Sequence, residues 1–109
     1  MAFEKYGYDL TEIAETDIDA IFEYIVSELS NEKAASDFAD EFEEKIEKIC
    51  KAPKTGRIVE NEYLKRDDVR RFLVGNYVAY YVIDENNQRI VILRVVYGKR
   101  DQNLVLKDI

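Results

Sequence analysis

Arg94 stands alone in an otherwise apolar run, between Leu93 and Val95. A guanidinium in such a run is costly unless an acid pairs with it or it opens onto a surface. Two readings follow. Arg94 grips an anion or a partner on an exposed sheet face, or it closes a structural pair with an acid such as Asp84 or Glu62. Arg70 and Arg71 are adjacent, so they point to opposite faces of one strand and at most one of them joins Arg94 on an open face. Lys99 and Arg100 follow Gly98 in a charged turn, which either holds an anion or is merely solvated. Tyr77, Tyr80, Tyr81 and Tyr97 crowd the same part of the chain. Aromatics among arginines stack on bases or anchor a protein partner; the plainer role is cross-strand packing, expected for Tyr80 or Tyr81.

Other chemistry is ruled out by what is missing. With no histidine among 109 residues, the commonest general base and metal ligand near neutral pH is gone. A serine–histidine or cysteine–histidine nucleophile is excluded. One cysteine, Cys50, makes neither an internal disulfide nor a zinc site, and it is read as a small buried hydrophobe at a helix end. No metal and no cofactor is expected.

Charge is unevenly spread. The net charge is −7, yet residues 1–50 carry four basic against fifteen acidic residues, a net −11. Residues 51–109 carry twelve basic against eight acidic, a net +4. Either the halves face different partners, or an acidic solvated helix pair lies beside an ordinary sheet. The apolar share of 47% belongs to a folded globule, and the length suits one domain, 1–109. No apolar run is long enough to span a bilayer. The first residues, Met1-Ala2-Phe3-Glu4-Lys5, lack signal-peptide segments, so a cytoplasmic location is expected.

The elements that must position these residues are legible as periodicities. Alternation from Lys5 to Leu10 predicts a short strand. Thr11 is a candidate N-cap. Ala14, Ile18, Ile21, Ile25 and Leu29 then make one apolar stripe of a helix over about 11–29. Ser30-Asn31 breaks it, and Ala35, Phe38, Ala39, Phe42, Ile46 and Ile49 line a second helix. So short a link demands an antiparallel helical hairpin. Pro53 and Gly56 close the second helix, and residues 57–68 are polar and aperiodic. Three strands follow, 69–74, 77–83 and 89–97, separated by Gly75-Asn76 and by Asp84-Glu85-Asn86-Asn87. The last two read as buried on both faces. A tail from Gly98 docks through Leu104, Val105 and Leu106. The fold class is therefore α+β, β-α-α-β-β-β, an antiparallel sheet with a helical hairpin on one face and the other face partly open.

This order resembles the RelE/ParE toxins of type II toxin–antitoxin modules, and local patterns agree. Leu10-Thr11, Ala14, Asp17-Ile18, Ile21 and Tyr24-Ile25 are similar to the family's first helix; Asn31, Ala34-Ala35, Phe38 and Ile46 are similar to its second. Pro53 and Gly56 occupy its Pro-x-x-Gly loop, and Val69-Arg70-Arg71 its strand entering the sheet. Asn76 to Val82 resembles its aromatic central strand, and Ile92 to Asp101 its closing strand and basic turn.

The resemblance implies a toxin neutralised by a cognate antitoxin in a hetero-oligomer, with no membrane partner. Its target is DNA gyrase for a ParE-like member and the translating ribosome for a RelE-like messenger RNA endonuclease. For the nuclease, Arg70, Arg94 and Arg100 would hold phosphates while Lys99 or Tyr97 assists proton transfer. Gly98-Lys99-Arg100 fits that type. However, Tyr77 stands where such nucleases have a second arginine, and Leu106 where they have a tyrosine. Loss of a charged partner for the developing phosphate charge typically lowers turnover about a hundredfold or more. Asn76-Tyr77 and the Arg94…Tyr97-Gly98…Arg100-Asp101 ending look more like ParE, where Arg70, Arg71, Tyr77, Arg94, Tyr97, Lys99 and Arg100 would form a protein-binding surface. A third alternative is a non-toxic interaction module of the same fold.

Overall fold

A computed structural model describes residues 5–109. Strand β1 (Gly7–Leu10) leads directly into helix α1 (Glu12–Ser27). The turn between them is set by Thr11, whose hydroxyl oxygen accepts the Ala14 N–H at 3.0 Å and so satisfies one of the helix's free amides. Glu12 and Glu15 add the negative charge that the helix N-terminus favours. Ser30, at a φ of 47°, turns the chain. Asn31 then caps helix α2 (Glu32–Lys51) by accepting the Ala34 N–H at 2.9 Å. The two helices form the expected hairpin.

Five strands make one sheet in the order β1-β5-β4-β3-β2, with β2 Arg57–Ile58, β3 Arg70–Val74, β4 Tyr77–Asp84 and β5 Arg89–Tyr97. The expectation of an antiparallel sheet needs correction: β1 runs parallel to β5, and only the other three pairings are antiparallel. Helix α1 runs on along β5 beyond the end of β1, and α2 returns to the start of β1, where the Cys50 carbonyl accepts the Tyr6 N–H at 3.0 Å; the β3–β4–β5 meander therefore ends with β5 alongside β1 in the same sense. The two-residue strand β2, paired with β3, is an element that the polar, aperiodic sequence of 57–68 does not announce.

The first core lies between sheet and helices. Ala14, Ile21 and Ile25 of α1 and Ala35, Phe38, Phe42, Ile46 and Ile49 of α2 meet Phe72, Val74, Ala79, Tyr81, Ile90, Ile92 and Val95. Aromatic edges knit it together, with Phe38 5.6 Å from Phe22 and 5.2 Å from Tyr77 between ring centroids, the spacing at which edge-to-face pairs add to burial. Two residues depart from the expected α1 stripe: Ile18 is only partly buried and Leu29, beyond the helix end, is 53% exposed.

The opposite face is not left open along its centre. The tail forms helix α3 (Gln102–Lys107), capped by Asp101, whose carboxylate accepts the Asn103 and Leu104 N–H groups. Its Val105 and Leu106, each 2% exposed, cover Val69, Val78, Tyr80, Val82 and Val96. Leu104 points away to solvent. What stays open on this face is a cleft between α3 and the segment 57–61. Strand β4 is buried on both faces from Val78 to Val82, as its unbroken apolar run predicts.

Candidate functional site

Strand β1 covers only the first half of β5; their pairing ends at Leu10 opposite Ile92. Beyond that point β5 has a bare edge, and helix α1 takes over. The Thr11 N–H donates to the Ile92 carbonyl at 3.1 Å and the Thr11 hydroxyl to the Leu93 carbonyl at 3.0 Å. One turn further on, the Asp17 carboxylate accepts the Val95 N–H at 3.0 Å. A β-bulge lies beside this cap. Tyr80 pairs with Arg94 and Tyr81 with Ile92, which leaves Leu93 without a partner. The extra residue breaks the alternation and places Arg94 opposite Tyr80.

Arg94 meets Asp17 there in a two-pronged ion pair, Nε and Nη2 donating at 2.8 and 3.0 Å, with both side chains about seven-eighths enclosed. The hydrogen bonds to Asp17 hold the guanidinium above its already high ordinary pKa. Arg94 is therefore not free on an open face, and its partner is Asp17 rather than Asp84 or Glu62. Arg70 is also engaged, since its Nη1 donates to the Lys54 and Gly56 carbonyls at 3.1 and 2.7 Å. It braces the turn that Tyr81 holds through Pro53 and Gly56.

Tyr77, Tyr97 and Arg100 are brought together. With Tyr24 and Leu29 from the helical hairpin, Asn76 from the β3–β4 turn and Asp17 at the back, they line a groove of about 520 Å³ at the bulged end of the sheet. The Tyr77 and Tyr97 rings sit edge to face at 5.8 Å. Burial raises the Tyr77 phenol pKa, and the nearby Tyr24 and Tyr97 phenols add to the rise, so it stays a neutral hydroxyl at physiological pH. Tyr24, Leu29 and Tyr97 are each about half exposed, an unusual concentration of apolar side chain on a small surface. Lys99 is exposed in the turn and does not line the groove.

Arg71 faces the other way. It lines the cleft beside α3, together with Arg57, Glu60, Asn61, Tyr80, Gln102 and Leu106. The expected site residues thus separate into four environments: the groove with Tyr77, Tyr97 and Arg100, the cleft with Arg71, two structural anchors at Arg70 and Arg94, and the exposed turn with Lys99. Sequence reasoning did not pick out Tyr24, Leu29, Arg57 or Gln102 as site residues. Tyr24 and Leu29 carried a signal in principle, being large apolar residues at the exposed end of α1. Arg57 and Gln102 carried none, because each belongs to an element too short to show a period.

The groove thus presents aromatic faces with one cation, Arg100, in its lining. Residues 8–102 match the model of the ParE toxin of type II toxin–antitoxin systems. No curated protein sequence matches the chain. Among solved structures, it is similar to the chromosomal ParDE toxin–antitoxin system of P. aeruginosa, at 20% identity and a TM-score of 0.67 over 87% of this chain and 98% of that one. It is also similar to the RelBE2 toxin–antitoxin complex of Mycobacterium tuberculosis, at 22% identity and a TM-score of 0.58 over 86% and 99%. A mutant of the E. coli RelE toxin in the free state shares the fold at 10% identity, with a TM-score of 0.63 over 96% of each chain. With that match running from β1 into α3, the chain belongs to the ParE toxin family of type II toxin–antitoxin systems.

Proposed function

We propose that this toxin acts by binding DNA gyrase, not by cutting RNA, and that a cognate antitoxin silences it by covering the groove at the bulged end of the sheet. The observation that carries this reading is the fate of Arg70 and Arg94, two of the three arginines that the resemblance assigns to holding phosphates in a nuclease. A phosphodiester-cleaving site needs free cations around the reacting phosphate. Arg94 is committed to Asp17 and Arg70 to two backbone carbonyls, Tyr77 occupies the position of a nuclease arginine, and Leu106 is buried in the second core. Tyr24, Tyr77, Tyr97 and Leu29 remain as an aromatic and aliphatic patch with Arg100 beside it. Such a patch is the usual make-up of a protein-binding hot spot.

Expression of the chain without an antitoxin tests the reading. DNA synthesis is expected to stop before protein synthesis, and the Tyr97→Ala and Arg100→Ala variants are expected to relieve the arrest. Messenger RNA cut at ribosome-bound codons, with replication continuing, would assign the protein to the nuclease branch instead.

A further inference from the structure

The cleft on the other face contains a feature that neither the fold nor the groove requires. Arg57 of β2 and Arg71 of β3 are direct cross-strand partners. Side chains so paired share one face of the sheet, and like charges directly opposite are destabilising. Both line the cleft of about 600 Å³, and among the described residues neither has an ion pair or a side-chain hydrogen bond. The contrast with Arg66, Arg70, Arg89 and Arg94, each tied down, is plain.

The surroundings of this pair are tied together by hydrogen bonds. Tyr80 forms the floor, 2% exposed, with its hydroxyl donating to the Gln102 side-chain oxygen at 2.6 Å. The Gln102 amide donates in turn to the carbonyls of Tyr97, Gly98 and Arg100. Asn61 and Asn103 bridge the two walls at 2.8 Å, and the Val59 N–H extends the β2–β3 ladder to the Val69 carbonyl. A preformed recess with two unpaired guanidiniums pointed into it loses little on binding an oxyanion.

We infer that Arg57 and Arg71 form a second binding site, which receives an aspartate or glutamate side chain from an acidic segment of a protein partner. Charge complementarity favours a carboxylate over a nucleic acid backbone. The recess offers two guanidiniums beside the apolar Leu106 and the Tyr80 ring, with Glu60 also in its lining, a mixture that suits a carboxylate flanked by apolar side chains and not a continuous row of phosphates. One carboxylate between apolar neighbours meets the two arginines while its flanks rest on Leu106 and the Tyr80 ring. This site lies on the face opposite the groove and does not depend on the identity of the target.

The test uses the full chain with three probes: an acetylated, amidated Leu-Glu-Ile-Glu-Leu peptide, its Leu-Gln-Ile-Gln-Leu counterpart, and a single-stranded oligonucleotide. The Glu peptide is expected to shift the Nε–H resonances of Arg57 and Arg71 and to raise the thermal midpoint, and the Gln peptide to do neither. Arg57→Gln and Arg71→Gln are each expected to weaken Glu-peptide binding about tenfold or more. Each free variant should unfold at or above the wild-type temperature, because the like-charge contact is gone. Equal responses to the two peptides, tighter binding of the oligonucleotide, or destabilised free variants would each overturn the inference.

Discussion

At the residue scale, the informative side chain is Arg94, and its meaning changed once its partner was known. The sequence marked it as a charge in a place that rejects charge, which was correct. Its partner Asp17 lies 77 residues away on a helix, and no local pattern connects the two. The bulge that turns Arg94 towards Asp17 is equally silent, since Leu93-Arg94 looks like ordinary strand sequence. Asp17 has two tasks, neutralising Arg94 and accepting the Val95 N–H. Asp17→Ala leaves an enclosed guanidinium and a backbone donor unpaired, so it should cost about 3 kcal/mol of folding stability, measured by urea unfolding. A double-mutant cycle with Arg94→Ala should return a coupling of about 1–3 kcal/mol. Independent, additive effects would mean that the pair is not what holds this end of the sheet.

At the element scale, segments with a visible period were legible, including the four-residue β1, and those without one were not. Both helices, both turns and strands β3 to β5 follow from apolar spacing and turn residues. Strand β2 has two residues and α3 has six, too few for a period, and these two elements build the walls of the cleft. Helix α3 also closes the second core, so Leu106→Ala should cost about 2–4 kcal/mol, read from the shift in the denaturation midpoint. Gly56 is fixed by the same packing: a Cβ there would fall against the Tyr81 hydroxyl and 2.8 Å from the Arg71 carbonyl oxygen. Burial raises the Tyr80 and Tyr81 phenols above the ordinary value of 10.0, against smaller opposing effects, chiefly the Arg71 charge at Tyr80 and the Gly56 N–H at Tyr81. Above pH 10 the folded state thus holds protons that the unfolded chain has released, and stability must fall as pH rises. Their contribution is fully present below pH 10 and is lost through the raised values. Tyr81→Phe should flatten the alkaline limb of a stability–pH curve while lowering stability at neutral pH through the lost bonds to Pro53 and Gly56. An unchanged alkaline slope would contradict this assignment.

At the scale of the whole molecule, the charge asymmetry takes on a shape. The acidic half supplies β1 and the two helices, while the basic half supplies the other four strands and α3. Much of the positive charge is used internally, through Arg89 on Asp9, Arg94 on Asp17 and Arg66 on Asp68. The basic second half is therefore not a nucleic-acid surface by default. Among the described residues its unpaired arginines divide between the aromatic groove, with Arg100, and the cleft behind it, with Arg57 and Arg71. The concentration of basic residues in the second half was visible in the sequence, but their division between a groove and a cleft depended on the bulge and on α3. The most direct test of the central claim is a supercoiling and DNA-cleavage assay with purified protein and DNA gyrase. The account predicts inhibited supercoiling with accumulation of cleaved, gyrase-bound DNA, reduced at least about tenfold by Tyr97→Ala, as for loss of a hot-spot aromatic. Undisturbed supercoiling at protein concentrations that arrest growth would contradict it.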